Sequence, residues 1–122
     1  MIYGIGTDIV LISRIKNTEA FAKKILSNKE FILWKDYLPG KQKTFLAKQF
    51  AGKEAIAKAL GTGFQNGIFP KDIEILRNDL GKPYISFQGS LKNVFTDLEI
   101  TSSHVSIADE TDYVVAFAIL EK

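Results

Sequence analysis

Two periodicities alternate along this chain. From Ile2 to Ile12 β-branched residues dominate, a strand pattern interrupted by Gly4 and Gly6. Those glycines predict a bulge or the close approach of another backbone. Helical spacing follows. Phe21 and Ile25 stand four residues apart in a segment that starts at Ser13 or Thr18 and ends at Leu26. Ser27 with Glu30 makes a capping-box pattern for a second helix. Its apolar face carries Phe31, Trp34 and Leu38, and Pro39-Gly40 should end it. The longest helix is expected from about Lys41 to Leu60, with Leu46, Phe50, Ala57 and Leu60 as its stripe. Gly61 and Gly63 supply its stop.

After the turn signal Asn66-Gly67, strand patterns return. Asp72 to Arg77 and Tyr84 to Phe87 flank the turn NDLGKP, Asn78 to Pro83. Ser90 is placed to cap a short helix with Leu91, Val94, Phe95 and Leu98. His104 to Ile107 and Tyr113 to Leu120 read as a hairpin joined through ADETD. Repeats, low-complexity tracts and linkers are missing from the sequence. The expectation is one α+β domain over residues 1–122, a small, mostly antiparallel sheet packed with a long helix and shorter ones.

Composition narrows the classes. With 46% hydrophobic and 25% charged residues, the chain is that of an ordinary globular protein rather than a disordered one. Without cysteine, disulfides, thiolate metal sites and cysteine nucleophiles are excluded. There is no apolar run long enough to span a membrane, and MIYGIGTDIV lacks the pattern of a signal peptide. The cytoplasm is therefore the default expectation. A net charge of +2 gives no reason to expect nucleic acid as a partner. Locally, Arg14, Lys16, Lys23, Lys24 and Lys29 crowd the first quarter against Asp8, Glu19 and Glu30. That cluster is either a solvated helical face or a docking patch for an acidic partner.

Candidate chemistry begins with two separated acids. GIGTDIV sets Asp8 among apolar residues, where a carboxylate needs a cation or a hydrogen-bonding partner. FAGKEAIAKALGTG carries Lys53, Glu54 and Lys58 on a helix ending at glycines. Phe50, Glu54 and Lys58 follow one another at i, i+4 spacing, so Glu54 borders the apolar stripe. Two carboxylates suffice for Mg²⁺, which fills its remaining positions with water and substrate phosphates. The plainer alternatives are a Glu54–Lys58 surface ion pair and an Asp8 that caps a turn. GIGTDI does not complete the dinucleotide-binding G-x-G-x-x-G, and no P-loop or G-x-S-x-G occurs. His104 is the only histidine, either a proton acceptor or a hydrogen-bonded structural residue. The turns at Gly61-Thr62-Gly63 and Lys82-Pro83 could offer amides and an ammonium to a phosphate, or be turns only.

Taken in order, GIGTDIV, FLAKQFAGKEAIAKALGTG, NDLGKP and HVSIADETDY resemble the small bacterial 4′-phosphopantetheinyl transferases, the holo-acyl-carrier-protein synthase family, over essentially the whole chain. The resemblance implies a compact α+β transferase fold. The implied reaction transfers the phosphopantetheine arm of coenzyme A to a serine of apo-acyl carrier protein, for fatty acid biosynthesis, and releases adenosine 3′,5′-bisphosphate. It also implies Mg²⁺, or Mn²⁺ in its stead, and a homotrimer with sites at subunit interfaces. By motif, Asp8 and Glu54 correspond to metal ligands, Lys58 to a phosphate contact that could protonate or charge-stabilise the leaving group, and His104 to the family's histidine near coenzyme A. Gly61, Thr62, Gly63, Lys82 and Pro83 are further candidates for coenzyme A contacts. The serine proton could go to a metal-bound water or to a carboxylate. Acyl carrier proteins are acidic, which gives Arg14, and after it Lys23 and Lys24, a reason to cluster.

Two positions depart from the family pattern. Gln49 stands where arginine is usual, and Gly52 where alanine or valine is common. Loss of a cation at 49 would be expected to weaken a phosphate contact or an interface ion pair. Glycine inside a helix costs about 1 kcal/mol relative to alanine. The alternatives to the transferase are a non-catalytic module that binds coenzyme A or an acidic protein, and an enzyme acting on other carrier domains.

Overall fold

A computed structural model describes residues 1–65 and 67–122 of the chain. The elements are β1 (Ile2–Leu11), α1 (Glu19–Ile25), α2 (Asn28–Asp36), α3 (Pro39–Leu60), β2 (Ile73–Arg77), β3 (Pro83–Phe87), α4 (Ser90–Asp97), β4 (Ser102–Asp109) and β5 (Tyr113–Glu121). β1, β5 and β4 form one antiparallel sheet in that order, and β2 pairs with β3 in a separate antiparallel hairpin. The fold class is α+β, as the pattern of helices and hairpins predicts.

Local chemistry accounts for most boundaries. Of the two possible starts for α1, Thr18 is used: its hydroxyl accepts from the Phe21 amide at 3.2 Å. Ser13 lies in a separate 3₁₀ turn, Ile12–Arg14. The Ser27–Glu30 capping box forms in full. Pro39-Gly40 behaves differently from expectation. It opens α3 rather than closing α2, because proline at the first helical position gives up an amide that would have no partner anyway. Ser90 is not the cap of α4. Gly89 precedes the helix with φ 60° and Ser90 is its first residue. The turn expected at Asn66-Gly67 falls partly outside the described residues.

Both readings of Gly4 and Gly6 are realised. The β1–β5 register slips between Ile2 and Gly4, and α3 presses its backbone onto the strand there. A Cβ on Gly6 would meet the Ala55 carbonyl oxygen at 2.0 Å, and one on Gly4 the Ala59 oxygen at 1.9 Å. Small residues on both sides therefore set the closest helix–sheet approach. The inner face of the sheet, with Val10, Val114, Ala116, Ala118 and Leu120, closes the core against Leu46, Ala51, Ala55, Ile56 and Ala59 of α3. The opposite face carries Ile5, Ile9, Val115 and Phe117, all 40–66% exposed. Among the described residues, no helix is long and apolar enough to cross a membrane.

The stripe predicted for α3 holds at Leu46, Ala57 and Leu60, while Phe50 is half-buried with its ring 6.0 Å from that of Phe21. Gly52 faces the Ile75 and Ile107 methyl ends, which would lie 2.7 and 3.1 Å from an added Cβ. The helix-propensity cost of this glycine is thus set against a place too tight for alanine unless those side chains give way.

Gly6→Ala should lower stability by about 1–3 kcal/mol or more, because the obstacle is helix backbone and not a flexible side chain. Gly40→Ala, with nothing within 4 Å of the added methyl, should be neutral or gain up to about 1 kcal/mol. Urea unfolding of both variants, read by circular dichroism, checks the contrast.

Candidate active site

The approach of α3 to β1 brings three of the sequence candidates together. Asp8 is on the inner face of β1, with its side chain 14% exposed. Lys58, in the last turn of α3, reaches back so that Nζ donates to Asp8 Oδ1 and to the Thr7 carbonyl, each at 3.0 Å. Glu54, a turn earlier on the same helix, is partly buried. Burial pushes its carboxyl above the usual range, and the Asp8 charge adds to the shift while Lys58 opposes it. Lys58 therefore pairs with Asp8, so the simple Glu54–Lys58 surface pair is not what forms. Two neighbouring carboxylates that repel each other, with one ammonium between β1 and α3, are a place where a small hard cation would be favoured.

The glycine-rich end of α3 lies just beyond Lys58. Gly61 takes the left-handed conformation at the helix C-cap with φ 89°, and Gly63 follows with φ 62°. The Thr62 hydroxyl donates to the Gly63 carbonyl at 2.9 Å. Lys82 and Pro83 are elsewhere, at the tip of the β2–β3 hairpin, which packs on α2, α3 and β4. His104 is elsewhere too. It pairs with Ile119 in the sheet register and shares the outer face, whereas Asp8 pairs with Ala116 on the inner one. Its Nε2 lies 2.6 Å from Glu121 Oε1. Within one chain the sheet separates His104 from Asp8.

Sequence reasoning missed a polar core on the other flank of α3. Lys53 and Glu30 are fully buried and paired. Lys53 also donates to the Ile25 carbonyl at 2.7 Å, tying down the end of α1. Glu30 accepts from the amides of Ser27 and Ile75 and from Gln49. Ser27 in turn donates to Glu74 at 2.7 Å. Burial pushes the Lys53 ammonium below its usual range, with the Glu30 charge working against that shift. The one legible signal was the Ser27–Glu30 capping box. Gln49 is 3% exposed and bonded to Glu30 and to the Ile75 carbonyl. The departure at position 49 thus acts first on this internal network.

Two surface features complete the picture. A recess of about 430 Å³ between α2, α3 and the β2–β3 hairpin is lined by Lys41, Lys48 and Arg77 together with Tyr37, Phe45 and Tyr84. A shallower one, about 460 Å³, joins Lys23 and Lys24 of α1 to Phe69, Pro70 and Lys71. Arg14 is exposed directly after β1. Lys23 leans toward Glu19 at 3.8 Å, so Lys24 and Lys71 are the more open cations of that recess.

Comparison with known proteins converges on one family. Residues 4–118 match the model of the 4′-phosphopantetheinyl transferase superfamily. A holo-(acyl-carrier-protein) synthase from Nitrosospira multiformis is 44% identical, with all of both chains covered. The crystal structure of the Neisseria meningitidis holo-(acyl-carrier-protein) synthase superposes with a TM-score of 0.93 at 41% identity, again over all of both chains. A holo-(acyl-carrier-protein) synthase from Bacillus anthracis, in complex with CoA (3′,5′-ADP), gives a TM-score of 0.84 at 32% identity over 98% of this chain and 96% of that one.

The shift at Glu54 has a stability consequence. A carboxyl whose pKa is raised on folding stays protonated in the native state where the unfolded chain has already lost the proton. Stability contributed by this group therefore falls as pH rises through that window. In chelator-containing buffer, Glu54→Gln should melt above the parent at neutral pH, and the gap should close as pH falls toward about 4. Thermal melts across pH check the sign.

Proposed function

The chain belongs to the 4′-phosphopantetheinyl transferase superfamily, and from that membership we propose that it is a holo-acyl-carrier-protein synthase acting in fatty acid biosynthesis. It transfers the 4′-phosphopantetheine arm of coenzyme A to a serine hydroxyl of apo-acyl carrier protein. The serine Oγ bonds to the phosphorus that carries the pantetheine as its proton passes to a water or a carboxylate of the site, the P–O bond to the nucleotide breaks, and adenosine 3′,5′-bisphosphate leaves with that bond's electron pair. The supporting observation is the meeting of Asp8, Glu54 and Lys58 at the α3–β1 contact.

Each residue has a role that its chemistry suits. Asp8 and Glu54 offer oxygen donors and a local excess of negative charge, a set that fits Mg²⁺ or Mn²⁺. The ion, when bound, offsets charge on the pyrophosphate. Lys58 uses two of its three protons on Asp8 and Thr7, and the third is left for a phosphate oxygen on the exposed side. This ammonium charge-stabilises or protonates the leaving phosphate. The amide-rich turn Gly61-Thr62-Gly63 borders the same place. The recess with Lys41, Lys48 and Arg77 among aromatic rings suits the adenine and 3′-phosphate of coenzyme A. Arg14, Lys23 and Lys24 suit the acidic carrier, which electrostatic attraction would steer and orient.

His104 joins this chemistry only from another copy of the chain, since it faces away from Asp8. The outer sheet face that carries it is apolar at Ile5, Ile9, Val115 and Phe117, a patch that normally marks an interface. A homotrimer that packs this face head-to-tail against the acidic-cluster side of the next copy would bring His104, and the β2–β3 hairpin packed on β4 with Lys82 and Pro83, to a neighbour's Asp8 cluster. The cytoplasm, where acyl carriers and coenzyme A meet, is the corresponding location.

Intact mass spectrometry of an apo-acyl carrier protein incubated with the protein, coenzyme A and Mg²⁺ tests the reaction. The carrier should gain one phosphopantetheine arm, and the gain should vanish with EDTA and in Asp8→Ala and Glu54→Ala. An unmodified carrier would overturn the assignment, and active variants the metal site. Phe117→Glu should shift the sedimenting species toward monomer and lose transfer with it. A parental trimer that tolerates the buried charge would place the interface elsewhere.

A further inference from the structure

We propose that Glu121 is the positioning residue for His104, which presents the imidazole to coenzyme A. The inference rests on the reading of His104 as a coenzyme A contact. Glu121 ends β5, and the register sets it diagonally from His104 on the same outer face: Ser102 pairs with Glu121 and His104 with Ile119. Its Oε1 lies 2.6 Å from His104 Nε2 and accepts from the Ser102 hydroxyl at 3.2 Å. The ring and the carboxylate are both accessible, with side-chain exposures of 58% and 39%. A pair held that closely at an open surface is a geometry in which one group sets the other.

The chemistry of the carboxylate decides which ring nitrogen does what. The hydrogen bond from His104, then the one from Ser102, hold the Glu121 carboxyl below its usual range, so it is an acceptor only. Nε2 must therefore carry its proton toward Glu121, and Nδ1 is the nitrogen left for a ligand. Ser102 fixes the carboxylate in turn, giving an ordered series hydroxyl, carboxylate, imidazole. The other charge acting on Glu121 is the N-terminal ammonium of Met1, which itself donates to the Lys122 carbonyl at 3.3 Å. A ring oriented this way binds substrate without being rebuilt on each encounter, so its loss should be felt in binding and not in the chemical step.

Steady-state kinetics of a double-mutant cycle test this. Glu121→Ala should raise KM for coenzyme A by about tenfold with kcat nearly kept, and His104→Ala should do the same or more. In the His104→Ala background, Glu121→Ala should add nothing. Glu121→Gln, which retains an acceptor for Nε2–H, should recover most of the loss. Equal effects of Glu121→Ala with and without the histidine would show that Glu121 acts through something else, and would overturn the proposal. If His104→Ala alone has parental KM and kcat, the role assigned to His104 falls, and the proposal with it. If His104→Ala raises KM while Glu121→Ala does not, the histidine reading stands and only the positioning role fails. Sedimentation and melting of each variant separate these outcomes from loss of assembly.

Discussion

The contact on which this structure depends is backbone against backbone, α3 on β1. No side chain stands between the helix carbonyls of Ala55 and Ala59 and the strand at Gly6 and Gly4. Ordinary helix–sheet packing interposes side chains, which can shift rotamer and let the elements adjust. Here the distance is set by atoms that cannot change rotamer. That stiffness matters because Asp8 is two residues past Gly6 on the strand, and Glu54 and Lys58 flank Ala55 on the helix. The same contact that closes the core fixes the separation of the charged groups. Two carboxylates are held close enough for Asp8 to raise the proton affinity of Glu54, a cost in stability that the close-packed contact sustains.

On its other flank α3 is anchored by charge. Lys53, one residue before Glu54, points about 100° around the helix into the core. It binds Glu30 and the Ile25 carbonyl, so the end of α1, the start of α2 and strand β2 are all referred to one position on α3. A buried pair of this kind is not a cheap source of stability, since apolar residues of similar volume often do as well. Its distinguishing property is direction: it accepts one arrangement of α1, α2 and β2 and penalises others. Removing either member would leave an unpaired buried charge, typically costing about 3–5 kcal/mol. Gln49 contributes an amide to Glu30 at the position where the family resemblance leads one to expect a guanidinium. With glutamine the network holds Glu30 and Glu74 against the one cation, Lys53, and relies on Ser27, Ser86 and the Ile75 amide for the remaining bonds.

What the sequence disclosed follows from what is local. Capping boxes, glycine stops and strand alternation depend on residues within a few positions, and so Ser27, Gly61 and the β4–β5 hairpin could be read directly, while the start of α1 was narrowed to Ser13 or Thr18. Pro39 could not, because proline at the first position of a helix and proline after the last one look alike without knowledge of which helix claims it. The acids at 8 and 54 were legible as a motif, and their partnership with Lys58 required the α3–β1 contact. Lys53 was hidden by its chemistry. A lysine in a helix reads as solvent-facing unless a buried acid is known to await it, and Glu30 had already been accounted for by its capping role. The surroundings of position 49 were hidden for the same reason: only the fold shows that this side chain points inward.

The side of the sheet on which His104 emerges is a fact of register, which motif spacing does not carry. One residue more or less between the hairpin turn and His104 would have put it on the face of Asp8. As folded, each chain displays the acidic cluster toward α3 and the Glu121–His104 pair toward the opposite side. If both belong to one reaction, the surface that offers the pair and the surface that offers the cluster are different surfaces of the same molecule. An interface joining unlike surfaces is head-to-tail, and it propagates until rotation closes it into a ring. A two-fold dimer that paired like faces would bury the apolar patch but bring the histidines toward each other rather than toward Asp8. The placement of one histidine therefore favours a cyclic assembly in which every copy both completes a site and has its own completed, as many sites as chains. The proposed trimer is one ring of that kind, and the exposed Ile5, Ile9, Val115 and Phe117 offer apolar surface for its interfaces.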